Sequence, residues 1–324
     1  MSETDAELRL DALTGEWVAI SGRRQGRPNR PADDCPFCIG GLEAPTSYDT
    51  HAFENRWPAL LPGPPLAADG GGNGHHTRHP ARGAAEVILY STQHDATLVS
   101  LGVEGVRSVI DLWAERTAAL LARPEIEYVL VFENRGRDAG STIDHPHGQV
   151  YAFPMVPPIP ARELAVAASR GCPVCDESAR EATEQTRLVV EQPGWRGWVP
   201  FASGWPFGLL LAPLEHQAGL VELPDRDRTG LAAALVDATD RYDRLFGRPF
   251  PYMLWVHQRP GDHDAHLHVH LAPPWRGVET LRYVAAGELG SGTLFNPLPP
   301  EVAAEQLRDA GAGRPEPVGS ETEA

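Results

Sequence analysis

The sequence predicts an α+β fold made of two tandem copies of one unit, each a mostly antiparallel sheet with helices packed on it. Three observations predict it. First, one set of features occurs twice in the same order. Cys35-Pro36-Phe37-Cys38 returns as Cys172-Pro173-Val174-Cys175, ILYSTQH at 88–94 returns as LLLAPLEH at 209–216, and HPHGQVYAFP from His145 returns as HLHVHLAPP from His266. Second, the spacings agree. Asn134 to His145 is 11 residues, as is His257 to His268, while His94 to His145 is 51 and His216 to His268 is 52. Self-similarity of this kind marks an internal duplication. Third, each copy sets strand-like runs around a single long helical pattern, which makes a sheet with helices on one face. The duplication divides the chain into residues 1–160, residues 161–310 and a flexible tail over 311–324 that is rich in Gly, Pro, Glu and Ser.

The elements follow in order. Residues 13–21, LTGEWVAIS, read as a turn and a short strand. Residues 63–84, with GGGNGHH, read as a flexible surface loop whose His75, His76 and His79 are solvent-exposed rather than metal-bound. EVILYS at 86–91 is a strand. An apolar stripe of Val106, Ile110, Trp113, Thr117 and Leu120 predicts a helix over 103–122. Strands over 128–133 and 149–153 lead into and out of a glycine-rich segment. Residues 155–160 are proline-rich and read as a linker. Leu231, Leu235, Ala238, Tyr242 and Leu245 predict a second helix over 228–246, and prolines open a short one over 299–308.

Composition excludes some functions. A formal charge of −16 is unsuited to a broad nucleic-acid surface, although local arginines can still meet a phosphate. No apolar run reaches membrane-spanning length and residues 1–10 are polar, so the expectation is a cytoplasmic protein with no membrane or nucleic-acid partner. In a reducing compartment, paired Cys-x-x-Cys knuckles point to metal more than to disulfide.

Chemistry centres on residues 132–149, FENRGRDAGSTIDHPHGQ. His145 and His147 lie one residue apart on an extended segment and so point the same way. Glycines at 136, 140 and 148 allow close backbone approach, and nearby N–H groups suit a phosphate. A neutral imidazole can attack phosphorus and form a covalent intermediate, and Gln149 adds an amide donor. Cys35, Cys38, His94 and His145 form a two-sulfur, two-nitrogen set suited to closed, structural zinc. The second copy offers Cys172, Cys175, His216 and His268, with His266 as the other candidate in the same His-x-His-x-His run.

FEN-x-G, followed by Gly140-Ser141 and HPHGQ, resembles the galactose-1-phosphate uridylyltransferase family, a branch of the histidine-triad superfamily, over residues 8–307. The resemblance implies two histidine-triad-like units, a likeness to homodimeric enzymes, and double displacement of UMP from UDP-glucose to galactose 1-phosphate. His147 would be the nucleophile and Gln149 its stabiliser. Asn134, Gly140, Ser141 and Thr142 would line the phosphate pocket, Arg24 and Arg27 would meet the diphosphate, and Asn55 the uridine. Arg56 stands where some relatives have an acid. Tyr283, Glu288 and Asn296 match hexose contacts made across a dimer interface, with Tyr283 in place of a common lysine. For metals, the resemblance implies zinc at the first set. At the second it offers an iron or zinc alternative of Glu163, His257, His268 and His270. The doubled Cys₂His₂ pattern is similar to an ADP-glucose phosphorylase, which leaves another nucleotide or acceptor as the second reading. A non-catalytic, nucleotide-binding zinc protein is the third. His266-Leu267-His268-Val269-His270 also resembles the triad of hydrolases. Gln149 in the third triad position of the first half cannot protonate a leaving group as an imidazolium would, which favours transfer over hydrolysis.

Overall fold

A computed structural model describes residues 6–22, 35–63, 75–261 and 263–312. Arg24, Arg27 and the tail from residue 313 lie outside these residues. The first half contains β1 (Glu7–Leu10), β2 (Trp17–Ile20), β3 (His51–Glu54), β4 (Arg78–Pro80), β5 (Ala84–Leu89), α1 (Leu98–Leu121), β6 (Tyr128–Arg135) and β7 (His147–Phe153). Then come α2 (Pro158–Arg170), α3 (Pro173–Glu184), β8 (Leu188–Gln192), β9 (Trp195–Trp198), β10 (Leu209–Pro213), α4 (Asp225–Phe246), β11 (Tyr252–His257) and β12 (His268–Ala272). The chain closes with β13 (Trp275–Gly277), β14 (Thr280–Leu281), α5 (Ala286–Ser291) and α6 (Pro300–Gly311).

Among the described residues nine strands form one antiparallel sheet in the order β3-β5-β7-β6-β11-β12-β10-β9-β8. The two halves meet where β6 pairs with β11, Asn134 opposite Met253 and Phe132 opposite Trp255. The two units therefore share one sheet and one core. A smaller sheet of β2, β1 and β4 holds residues 78–80, which the sequence reading placed in a surface loop; His79 there packs on Trp17.

Alternation along the strands separates a helix-covered face from the face that carries the chemistry. Val129, Val131, Val150 and Ala152 face the core with α1 and α4 residues Val106, Ile110, Trp113, Leu231 and Leu235. Burying a side chain the size of Trp113, which is fully covered, contributes about 2–3 kcal/mol. Thr97 caps α1 by accepting from the Ser100 amide, and Gly102, at φ 65°, breaks the first turn from the long stretch that follows. Gly247, at φ 67°, ends α4. The linker expected over 155–160 is instead partly the first turn of α2, where proline is tolerated because those amides have no helical partner. The sequence reading assigned neither α2 nor α3.

Candidate active site and metal centres

β5, β6 and β7 bring the first-half ligands and HPHGQ together. The ligand atoms of Cys35, Cys38, His94 and His145 all lie within 4.8 Å of one another. Cys38 Sγ is 3.4 Å from His94 Nδ1 and 3.6 Å from His145 Nδ1, against about 3.6 Å for a sulfur and a nitrogen on one tetrahedral zinc. His145 Nε2 lies 2.7 Å from the Ser91 carbonyl and 3.0 Å from the Tyr48 hydroxyl. A carbonyl only accepts, so Nε2 carries the proton and Nδ1 presents its lone pair to the thiols. Burial and the neighbouring Cys35 push the Cys38 thiol up. Such a pair becomes two thiolates readily only beside a cation.

His147, two residues on, is buried and sits with Nδ1 2.7 Å from its partner, the His145 carbonyl. Nδ1 therefore donates, and Nε2 keeps the lone pair a nucleophile needs. His147 and Gln149 both line a cleft of about 1210 Å³ walled by Phe37, Phe53, Asn55, Val87 and Thr142. The Phe37 ring packs edge-on to His147 at 5.1 Å. Asn55 Nδ2 reaches Gln149 Oε1 at 3.5 Å, which leaves the Gln149 amide N–H groups as donors. Asn134, Gly136 and Ser141 line a small cavity that adjoins the cleft at His147. The Ser141 hydroxyl donates to the Ile143 carbonyl at 2.7 Å, and Gly140, at φ 88°, closes the turn by donating to the Arg137 carbonyl. On the opposite face Glu133 is buried, accepts from Tyr252 at 3.0 Å, and is pushed up to about 7 by burial.

In the second half, the expectation that His268 completes the Cys₂His₂ set is corrected. Cys172, Cys175 and His216 converge with His266 instead. His266 Nδ1 is 3.4 Å from Cys172 Sγ and 3.2 Å from Cys175 Sγ, and its Nε2 donates to the Pro213 carbonyl at 3.1 Å, as His145 does to Ser91. The reason lies in the loops. Strand pairing sets Phe132 opposite Gln149 and Trp255 opposite His270, so Asn134 matches His257. From those positions His145 is 11 residues on but His266 only 9, because the first loop contains a 3₁₀ turn at Arg137–Ala139. Matching on a spacing of 11 therefore slipped the register by two.

His268 belongs to another cluster, with Glu163, His257 and His270. The two alternative ligand sets of the sequence both claim His268; with His266 at the cysteines, both sets are present and share no residue. Glu163 arrives from α2 and accepts from His257 Nδ1 at 2.9 Å, with His268 Nε2 at 3.7 Å. Burial raises the Glu163 carboxyl, but the hydrogen bond from His257 and the nearby His268 ring outweigh it and hold the group well below the usual carboxylate range. Among the described residues His270 Nε2 is buried without a hydrogen-bond partner, as a lone pair aimed at a cation would be, and burial pushes that ring well below the ordinary histidine range. A carboxylate beside three imidazoles suits iron or zinc.

Tyr283, Glu288 and Asn296 do not line the cleft of His147. Glu288 is buried against Arg282 and accepts from the Ala285 and Phe295 amides. Asn296 donates to the Ser203 and Trp205 carbonyls, and Tyr283 is 74% exposed. Sequence reasoning missed Tyr48 and Phe37; the aromatic between Cys35 and Cys38 was the available signal for Phe37.

Comparison with known proteins places these features. The sequence model of galactose-1-phosphate uridyl transferase, N-terminal domain, matches residues 1–157, and that of the C-terminal domain matches residues 167–314. A galactose-1-phosphate uridylyltransferase of Thermotoga maritima is 36% identical over 94% of this chain and 98% of its own. One of Streptomyces lividans is 33% identical over 94% and 87%. A solved uridylyltransferase structure superposes with a TM-score of 0.83 at 29% identity, over 94% of this chain and 98% of that one. An ADP-glucose phosphorylase of Arabidopsis thaliana shares the fold, with a TM-score of 0.70 at 23% identity over 94% of this chain and 99% of that one.

Proposed function

The chain belongs to the galactose-1-phosphate uridylyltransferase family, and from that premise we propose how its residues divide the work. It is a nucleotidyltransferase, a galactose-1-phosphate uridylyltransferase. UDP-glucose enters the cleft with its α-phosphorus facing His147 Nε2. The Nε2–P bond forms as the bond to the β-phosphate oxygen breaks, and glucose 1-phosphate leaves with that electron pair. A phosphate oxygen of galactose 1-phosphate then attacks, the Nε2–P bond breaks, and UDP-galactose departs. No proton needs to move.

The observation that carries this reading is the 2.7 Å bond from His147 Nδ1 to the His145 carbonyl. It fixes the tautomer that leaves Nε2 nucleophilic, and it strengthens as the ring gains charge in the intermediate. Gln149 donates to the phosphoryl oxygens and supplies no acid, so the uridylyl group waits for an acceptor. Asn134, Gly140, Ser141 and Thr142 hold the phosphates, Arg24 and Arg27 add charge, and Asn55 faces the uridine.

The donor sets fit metal. Cys35, Cys38, His94 and His145 would hold a zinc ion, which would keep His145, and hence the strand that starts at His147, in place. Cys172, Cys175, His216 and His266 would hold a zinc ion in the same part of the second half, and Glu163, His257, His268 and His270 would hold iron or zinc. Exposed Tyr283, Leu289 and Phe295 favour a homodimer in which the partner covers them. Among the described residues no helix is long and apolar enough to cross a membrane, and the four cysteines are free for metal, in keeping with a cytoplasmic enzyme.

The test is incubation with a single donor, run across UDP- and ADP-sugars. A burst of about one sugar 1-phosphate per site, with nucleotide retained on the protein by intact mass, is expected from UDP-glucose. A sequential rate pattern with no labelled protein would overturn double displacement.

A further inference from the structure

We infer that Trp275, from the second half, is a positioning residue for the phosphate loop of the first half, acting through Asp138. Residues 136–140 make a tight turn after β6, with Gly136 at φ 78° and Gly140 at φ 88°. Asp138 lies in it, an acid in a loop that must receive phosphates. The Trp275 indole N–H donates to Asp138 Oδ2 at 2.8 Å. Trp275 is itself 4% exposed and wedged against Phe250 and Phe246, with ring centroids 5.2 and 5.9 Å away. Indole has a single donor and no acceptor, so this anchor holds the carboxylate in one direction. A second contact ties the same turn to the second half: a Cβ on Gly136 would stand 3.0 Å from Pro251 Cβ. Asn134, Gly136 and Ser141 line the small cavity beside His147, whereas Asp138 lines neither that cavity nor the cleft. The Trp275 bond thus sets, from outside the cavity, the loop that meets the phosphates. The second half in this way shapes a site whose nucleophile it does not supply.

The inference rests on the proposed phosphate role of residues 136–140. Its test is a double-mutant cycle on the full chain with UDP-glucose and galactose 1-phosphate. Asp138→Ala leaves the Phe246/Phe250 packing untouched, and Trp275→Phe retains an aromatic ring there. Each should raise KM for galactose 1-phosphate by about threefold to tenfold, the equivalent of one hydrogen bond, with kcat changed far less. The double variant should be no worse than the poorer single one, and Asp138→Asn, which keeps an oxygen for the indole N–H, should restore most of what Asp138→Ala loses. Amide hydrogen exchange over 136–141 should quicken in both single variants. Multiplicative effects in the double variant, or unchanged exchange in Asp138→Ala, would overturn the inference. A wild type that transfers from no donor would instead remove the phosphate reading, and the exchange data would still decide the coupling.

Discussion

His147 and His268 hold the same place in the two halves of the sheet: each donates Nδ1–H to the carbonyl of the histidine two residues earlier, at 2.7 and 2.8 Å. They differ in what Nε2 meets. For His147 it is the cleft; for His268 it is Glu163, 3.7 Å away. α2 has placed a carboxylate on the side of the ring that in the first half lines the cleft. On the proposed reading, one backbone arrangement thus serves a nucleophile in one half and a metal ligand in the other.

His147→Gly should abolish transfer while thermal stability and metal content stay near wild type, because His145 and not His147 faces the thiols. Added imidazole should fill the vacated space and restore part of the transfer. Loss of metal in this variant would contradict the division of labour between the two histidines.

Metal content separates the ligand sets. Elemental analysis should find about three metals per chain, since among the described residues three groups of four ligands converge without sharing a residue. His266→Ala should lose the thiolate-to-cobalt absorption of the second knuckle in cobalt-loaded protein. His268→Ala should keep that absorption and empty the Glu163 cluster. The reverse pattern would restore His268 to the cysteines.

Gln149→His should shift the balance from transfer to hydrolysis. An imidazole can shuttle a proton to and from water where an amide cannot. The ratio of glucose 1-phosphate released without acceptor to UDP-galactose formed should rise. An equal fall in both rates would confine Gln149 to binding.

Glu133 gives the fold a pH dependence. Burial lifts its carboxyl from an ordinary 4.5 to about 7, so the native state holds a proton that the unfolded chain releases. Its contribution to stability is therefore complete below pH 4.5 and lost as pH rises to about 7, a fall on the order of 3 kcal/mol. Glu133→Gln keeps an acceptor for Tyr252 and has no proton to lose. Denaturant midpoints at pH 5 and pH 8 should differ less in the variant than in wild type; parallel curves would refute the buried, protonated acid.

The sequence by itself determined the duplication, the α+β class, the two amphipathic helices, the convergence of Cys35, Cys38, His94 and His145 and the paired histidines at 145 and 147. All of these rest on local signals. Helical and strand periods are written in neighbouring residues, cysteine knuckles span four positions, and a His-x-His on a strand faces one way whatever surrounds it. Tertiary structure decided the rest. Only the pairing of β11 with β12 shows that the second loop is two residues shorter, and so that His266 meets the cysteines while His268 meets Glu163. Only the path of α2, whose opening prolines read as a linker, brings Glu163 to three histidines about a hundred residues away in sequence. Asp138 and Trp275, 137 positions apart, carry no mark of each other in the chain. Contacts of that kind follow from how the two halves share one sheet, and a linear pattern does not encode that docking.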